Sequence, residues 1–292
     1  MRRIFSAALT LLIALLVPLS ALSVWASLEV GDTGRYVATM APLAGDAAVQ
    51  NAVADRVTEQ VMKNIDVGPM QSSVDDLVRQ AVKSFAGSDA FRAAWNTVNE
   101  VAHTAVEKAL TSDNGDDAVI DLAPVTERVK QELTDQGVPL ASRIPVEHTQ
   151  VTVLTSEQLG DLRDGYRRLR TAGFWLPAAT LVLAALALLL AVRRRRAVAW
   201  LGLATALGGV LLLVAVAVAR PLVLDGLPAD VDRAAAGAVY DALTGFLRTA
   251  GWVALGLGLA AVLAAWLTGW LRRHRRPPAE TLRPPDRAHL TA

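Results

Sequence analysis

Four consecutive arginines, Arg193 to Arg196, interrupt an otherwise uncharged apolar block that runs from Phe174 to Ala219. No single membrane-crossing helix accommodates both features. At about 1.5 Å per residue such a helix would extend roughly 70 Å, about twice what a bilayer needs. Four arginines near its centre would cost on the order of 10 kcal/mol, against a gain of about 3–6 kcal/mol from the apolar side chains of the first half. The penalty wins, so the arginines belong at a surface. Two spans, 174–192 and 197–219, joined by a tight basic turn, satisfy both terms.

Two further segments fit the same plan. Ile4 to Trp25 carries no charge and follows Arg2 and Arg3; Ala250 to Leu271 precedes Arg272, Arg273, Arg275 and Arg276. Trp175, Trp200, Trp252, Trp266 and Trp270 stand near span ends, where amphipathic rings favour the interface. The first segment has an alternative reading as a signal peptide cut after Val24-Trp25-Ala26. Its length exceeds the usual apolar core of about 7–15 residues and favours an uncleaved anchor. Charge is sorted accordingly. Residues 27–172 hold 14 Lys/Arg against 22 Asp/Glu, whereas the three basic segments hold 12 Arg against Glu280 and Asp286. By the excess of basic residues on the cytoplasmic side, the chain is expected to be a multi-pass cell-membrane protein. Residues 27–172 then lie outside and the C-terminus lies in the cytoplasm.

The fold class expected is mainly α: four transmembrane helices plus a helical extracytoplasmic domain with a two-strand ribbon. The boundaries are 1–26 for the anchor, 27–172 for the outer domain, 173–271 for three spans (174–192, 197–219, 250–271), and 272–292 for a basic, Pro-rich tail. Within the outer domain, Val49, Val53, Val57 and Val61 recur at steps of four and predict a helix over 46–66. A second helix is expected over 74–85, capped by Ser72 or Ser73. A third, from Ser88 to Leu110, has Phe91, Trp95, Val98, Ala102 and Val106 as its apolar stripe. Pro124 to Gln136 reads as a helix with proline in its first turn. Residues 118–122 and 148–154 alternate and can pair as the ribbon. A helix from Ser156 is expected to enter the span at Phe174 without a joint, despite Gly160, Gly165 and Gly173. The loop 220–249 carries Val231, Ala235, Val239, Leu243 and Phe246 on one face, an amphipathic helix for the outer domain or the interface.

Chemistry is sparse. There is no cysteine, which removes disulfides, thiolate catalysis and Cys-based metal sites. Trp95, Asn99 and His103 share a helix face and form the candidate polar cluster. One His with Glu107 nearby does not make a metal site, so the reading is a cluster that holds helices in register. Asp113 to Asp117 has acids, Asn and Gly but lacks the twelve-position calcium frame. Asp75/Asp76 and Asp116/Asp117 are adjacent acids that point to different faces. No serine sits in a nucleophile elbow, and Gly31-Asp32-Thr33-Gly34 lacks a phosphate-loop context. No catalytic residue, metal or cofactor is therefore assigned.

The spans hold no internal charge, which disfavours a channel or transporter. Gly202/Ala206, Ala204/Gly208, Thr205/Gly209, Ala254/Gly258 and Gly256/Ala260 are small pairs suited to close helix packing, within the chain or in a homo-oligomer. The arginine clusters are explained by anionic lipid, so no nucleic acid partner is expected.

The stretches RYVATMAPLAGDAAVQNAVADRVTEQVM, FRAAWNTVNEVAHTAVEKAL, VIDLAPVTERVKQEL and AVYDALTGFLRTAG together resemble a group of uncharacterised actinobacterial integral membrane proteins. That resemblance implies the four-span plan with a helical outer domain and carries no activity. The leading expectation is a non-enzymatic protein whose outer domain binds a protein or cell-wall component. A membrane-tethered sensor or regulator and a cell-envelope hydrolase are the alternatives.

Overall fold

The computed structural model describes residues 2–63, 68–111, 118–121, 123–135, 142, 146, 150–154, 156–189, 191 and 194–274. In chain order the helices are α1 (Arg2–Glu29), α2 (Thr33–Met40), α3 (Ala47–Met62), α4 (Gln71–Ala86), α5 (Asp89–Thr111), α6 (Ala123–Asp135), α7 (Ser156–Leu189), α8 (Arg194–Asp225), α9 (Arg233–Leu243) and α10 (Gly245–His274). A 3-10 turn, Ala41–Gly45, joins α2 to α3. Strands β1 (Ala118–Asp121) and β2 (Gln150–Leu154) pair antiparallel, with Asp121 opposite Gln150.

Four helices, α1, α7, α8 and α10, are long and apolar enough to cross a membrane. Their order in space is α7–α1–α8–α10, with α7 at one edge. Contacts fix the directions. Ser20 lies beside Thr180 and Ser27 beside Gly173, so α1 and α7 are antiparallel. Ile13 packs on Ala204, and Leu22 and Trp25 on Leu212 and Val216, so α1 and α8 are parallel. Gly209 meets Gly251, and Gly202 meets Gly258, so α8 and α10 are antiparallel. The starts of α1 and α8 and the end of α10, the three basic ends, therefore lie at one end of the bundle.

Small residues set how closely these helices approach. A Cβ on Gly258 would stand 2.5 Å from the Ala206 nitrogen, and one on Gly209 would stand 2.7 Å from the Gly251 carbonyl oxygen. Close backbone contact of this kind supplies the packing that lipid-solvated helices lack from the hydrophobic effect. Pro18 gives no N–H to the Ala14 carbonyl, and Gly208 approaches that oxygen from α8. The Thr180 hydroxyl donates to the Leu176 carbonyl, so its oxygen accepts from Ser20 at 2.9 Å across α1 and α7.

As expected, α7 is continuous from Ser156 through the span, with Pro177 inside it. Other boundaries move from their expected places. α8 runs past Ala219 to Asp225, so the loop to α10 is shorter than 220–249. α9 packs on the domain between α1 and α7. Its Ala235, Ala238, Val239, Ala242 and Leu243 cover Met40, Leu43 and Val49. Phe246 begins a different contact, against Leu212 and Leu247 in the bundle. Residues 27–172 are thus not a self-contained core.

Within that domain, Asp46 caps α3 by accepting from the amides of Ala48 and Val49. Ser88 caps α5 through the Phe91 amide. Neither Ser72 nor Ser73 caps α4, because both lie inside it and Met70 stands at the cap without a side-chain bond. The valine series of α3 also departs from expectation. Val49 is 3% exposed, but Val57 and Val61 are 40% and 38% exposed, and the buried positions beyond Val49 are Ala54 and Thr58. A step of four residues overshoots a 3.6-residue turn by about 40°, so the series precesses off the buried face.

Candidate functional site

The residues singled out on α5 reach three different places. The Trp95 indole donates to the Met40 carbonyl at 3.0 Å and packs against the 3-10 turn and Val53 of α3. Asn99 donates to the Trp95 carbonyl at 2.8 Å, one turn back in its own helix. His103 is 8% exposed and turns to the junction where α1 ends and α2 begins. The three share a helix face but do not converge on a common point.

The stripe on α5 differs from the one expected. Phe91, His103 and Leu110 are buried, with Trp95 and Val106 half-buried, whereas Val98 and Ala102 are exposed. A polar residue took a core position because partners were waiting for it. His103 Nε2 lies 3.0 Å from the Glu29 carbonyl, its Nδ1 lies 3.0 Å from the Thr33 hydroxyl, and its ring stacks on Tyr36 with centroids 4.3 Å apart. Thr33 also lies 3.1 Å from Glu107 Oε2.

Proton counting ties these groups together. A carbonyl only accepts, so Nε2 carries a proton and donates to Glu29. Thr33 has one hydroxyl proton for two neighbours. It donates either to Glu107 or to Nδ1.

Glu29, the last residue of α1, is 5% exposed. Its Oε1 accepts from Thr39 at 3.3 Å, and Oε2 has no partner among the described residues. Burial, and then the nearby Glu29 carboxylate, raise the Tyr36 phenol above its ordinary value. The arrangement does not match a nucleophile–base–acid relay. The carboxylate of Glu107 holds the hydroxyl rather than the imidazole, and the outer nitrogen of the ring is taken by a backbone carbonyl. No group of three or more His, Asp or Glu side chains suited to a metal occurs among the described residues. The cluster joins α1, α2 and α5.

Other contacts fasten the domain to the bundle. Trp25 donates to the Leu243 carbonyl at 2.8 Å, which holds the end of α9 against α1. Tyr240 donates to the Val216 carbonyl at 2.7 Å, and Arg220 and Arg248 both reach Asp241. Arg163 of α7 donates to the Ala109 carbonyl near the end of α5, beside Tyr166 and Leu110.

Away from the junction, α3 and α4 leave an apolar cleft of about 310 Å³ lined by Val53, Val57, Val82, Phe85, Ala86 and Phe91. Leu77 on α4 is also exposed. One ion pair, Arg79 with Asp55, bridges the two helices; Arg79 also pairs with Asp75 within α4, and Arg56 of α3 pairs with Glu59 in its own helix and with Asp230 ahead of α9. Neither the cleft nor the junction was assigned from sequence. The cleft follows from the precession of Val57, which step-of-four counting conceals. The junction joins residues far apart in the chain. Gly31-Asp32-Thr33-Gly34 forms its turn, where Asp32 caps α2 through the Arg35 amide. Of the other candidates, Asp75 and Asp76 lie on α4, and Asp113 to Asp117 fall outside the described residues. Arg194 to Arg196 open α8 and Arg272 and Arg273 close α10, whereas Arg193, Arg275 and Arg276 fall outside the described residues. No protein-family model, curated protein or solved structure matches the chain.

Proposed function

We propose that this chain is a non-enzymatic multi-pass protein of the cell membrane whose interspan domain faces outward and binds a protein or cell-wall component. The observation that carries this reading is the α3–α4 cleft, whose wall is apolar and whose flanks are ionic. Such a surface suits an apolar anchor residue from a partner, with a polar rim around it. The basic ends of α1, α8 and α10 favour the cytoplasm, which supports an outward-facing domain.

Two experiments test it. Reporter fusions after Asp113 and Asp241 should read as exported, and fusions near Arg195 and Leu290 as cytoplasmic. A photoreactive side chain at Leu77, in native membranes, should give a discrete adduct that Val82→Asp abolishes. An adduct at Leu77 that is indifferent to Val82→Asp would remove the cleft from the reading.

A second reading, a membrane-tethered sensor, is favoured by the continuity of α7 from the domain through its span. Inserting three glycines after Ala172 would uncouple the two ends. Loss of a cellular response with partner binding intact would favour the sensor.

A further inference from the structure

One side of α7 faces α1 and the turn that follows it. Tyr166 stands against Gly31, Gly173 against Ser23 and Ser27, and Thr180 against Ser20. These positions repeat at seven residues, so they lie along one stripe. The opposite stripe contains Arg168, Thr171, Trp175 and Ala179, all exposed. Together with Arg167 and Leu176 they line an open cleft of about 580 Å³.

The cleft is polarised along the helix. Arg167, Arg168 and Thr171 form its upper part, and the uncharged run of the span begins just below them with Trp175, Leu176 and Ala179. From Arg168 to Ala179 is about 16 Å of helix, the depth from a headgroup phosphate into the acyl region. Indole at the boundary marks that level. Arg167 and Arg168 bring two guanidiniums to this level of the helix. A phosphate fits the fork geometry of arginine. Thr171, Trp175 and Ala179 are exposed, so an α7 that crosses a membrane presents this side to lipid.

We propose that the Arg167–Arg168–Thr171–Trp175 cleft of α7 is a binding site for an anionic glycerophospholipid. The guanidiniums and Thr171 hydroxyl would hold the phosphate, and Trp175, Leu176 and Ala179 would contact the glycerol and upper acyl carbons. The site depends only on α7 crossing the membrane; it stands or falls separately from sidedness and from the α3–α4 cleft.

The test uses full-length protein in phosphatidylcholine vesicles containing acyl-brominated phosphatidylglycerol or acyl-brominated phosphatidylcholine. The readout is the quenching of the emission that Trp175→Phe removes. Brominated phosphatidylglycerol should quench this component at a several-fold lower mole fraction than the zwitterionic lipid. R167Q/R168Q should weaken the preference by about fivefold per arginine, R167K/R168K should retain most of it, and inorganic phosphate in the buffer should not compete. Equal quenching by the two lipids, or an unchanged preference in R167Q/R168Q, overturns the proposal. Displacement by inorganic phosphate also overturns it, in favour of a free-anion site. If R167Q/R168Q fails to fold, salt decides in the wild type: a preference that does not fall between about 0.05 and 0.5 M overturns the proposal equally.

Discussion

His103 reaches two segments that lie more than sixty residues upstream, the end of α1 and the start of α2. Removing its ring leaves the Glu29 carbonyl and the Thr33 hydroxyl short of a partner inside a packed junction. His103→Ala should therefore destabilise the full-length protein by about 2–4 kcal/mol in detergent unfolding. A cost below about 0.5 kcal/mol would mean that water replaces the imidazole there. Tyr36 gives the junction a pH dependence of defined sign. Burial raises its folded-state ionisation above the ordinary value, so its stabilising contribution is complete below that value and is lost as pH rises through the folded one. An ultraviolet titration of the tyrosines should show a late component that Tyr36→Phe deletes, and Tyr36→Phe should blunt the alkaline loss of stability. Tyr240, also raised by burial, supplies a separate component that Tyr240→Phe deletes. The sequence placed His103 on one face with Trp95 and Asn99, but spacing along α5 carries no information about Glu29 or Thr33. Long-range partners of this kind are set by how α1 and α7 hold the domain.

The α8–α10 pair is built on backbone contact, and two glycines one half-turn apart on α10 make a controlled comparison. A Cβ at Gly258 meets Ala206 and Gly202 at 2.5 Å, whereas one at Gly256 meets nothing within 4 Å. Gly258→Val should separate the helices and lower the melting temperature, and Gly256→Val should leave it near the wild-type value. Equal effects would mean that helix propensity, not packing, governs both positions. The four membrane-length helices were legible because about twenty apolar residues without charge have few other fates. Their ends were not, because nothing in Arg220-Pro221-Leu222 stops a helix already under way, and Pro221 sits inside α8. The small pairs on α8 and α10 were visible too, but only the packing showed Gly202, Gly209, Gly251 and Gly258 meeting within one chain. On α3, regular valines masked a rotating face: the same periodicity that predicted the helix pointed Val57 and Val61 at the wrong neighbour.

At the scale of the whole molecule, α9 is the piece that the domain lacks. Residues 27–172 expressed alone would leave Met40, Leu43 and Val49 uncovered. They should aggregate or stay partly unfolded, and adding a peptide spanning 228–246 should improve their solubility; a sharp cooperative melt without that peptide would contradict the packing. The same dependence sets a timetable for synthesis. Leu43 leaves the ribosome long before Val239, with two spans to be inserted in between. At about 5–20 residues per second the delay is roughly 10–40 s. Through that interval the nascent domain carries an unfinished apolar wall beside the membrane, and it can close only after α8 has been threaded and α9 has emerged next to it. Insertion of the later spans is therefore a step in the folding of the earlier domain, and a ribosome stalled before residue 233 holds a protein that is anchored but not yet folded.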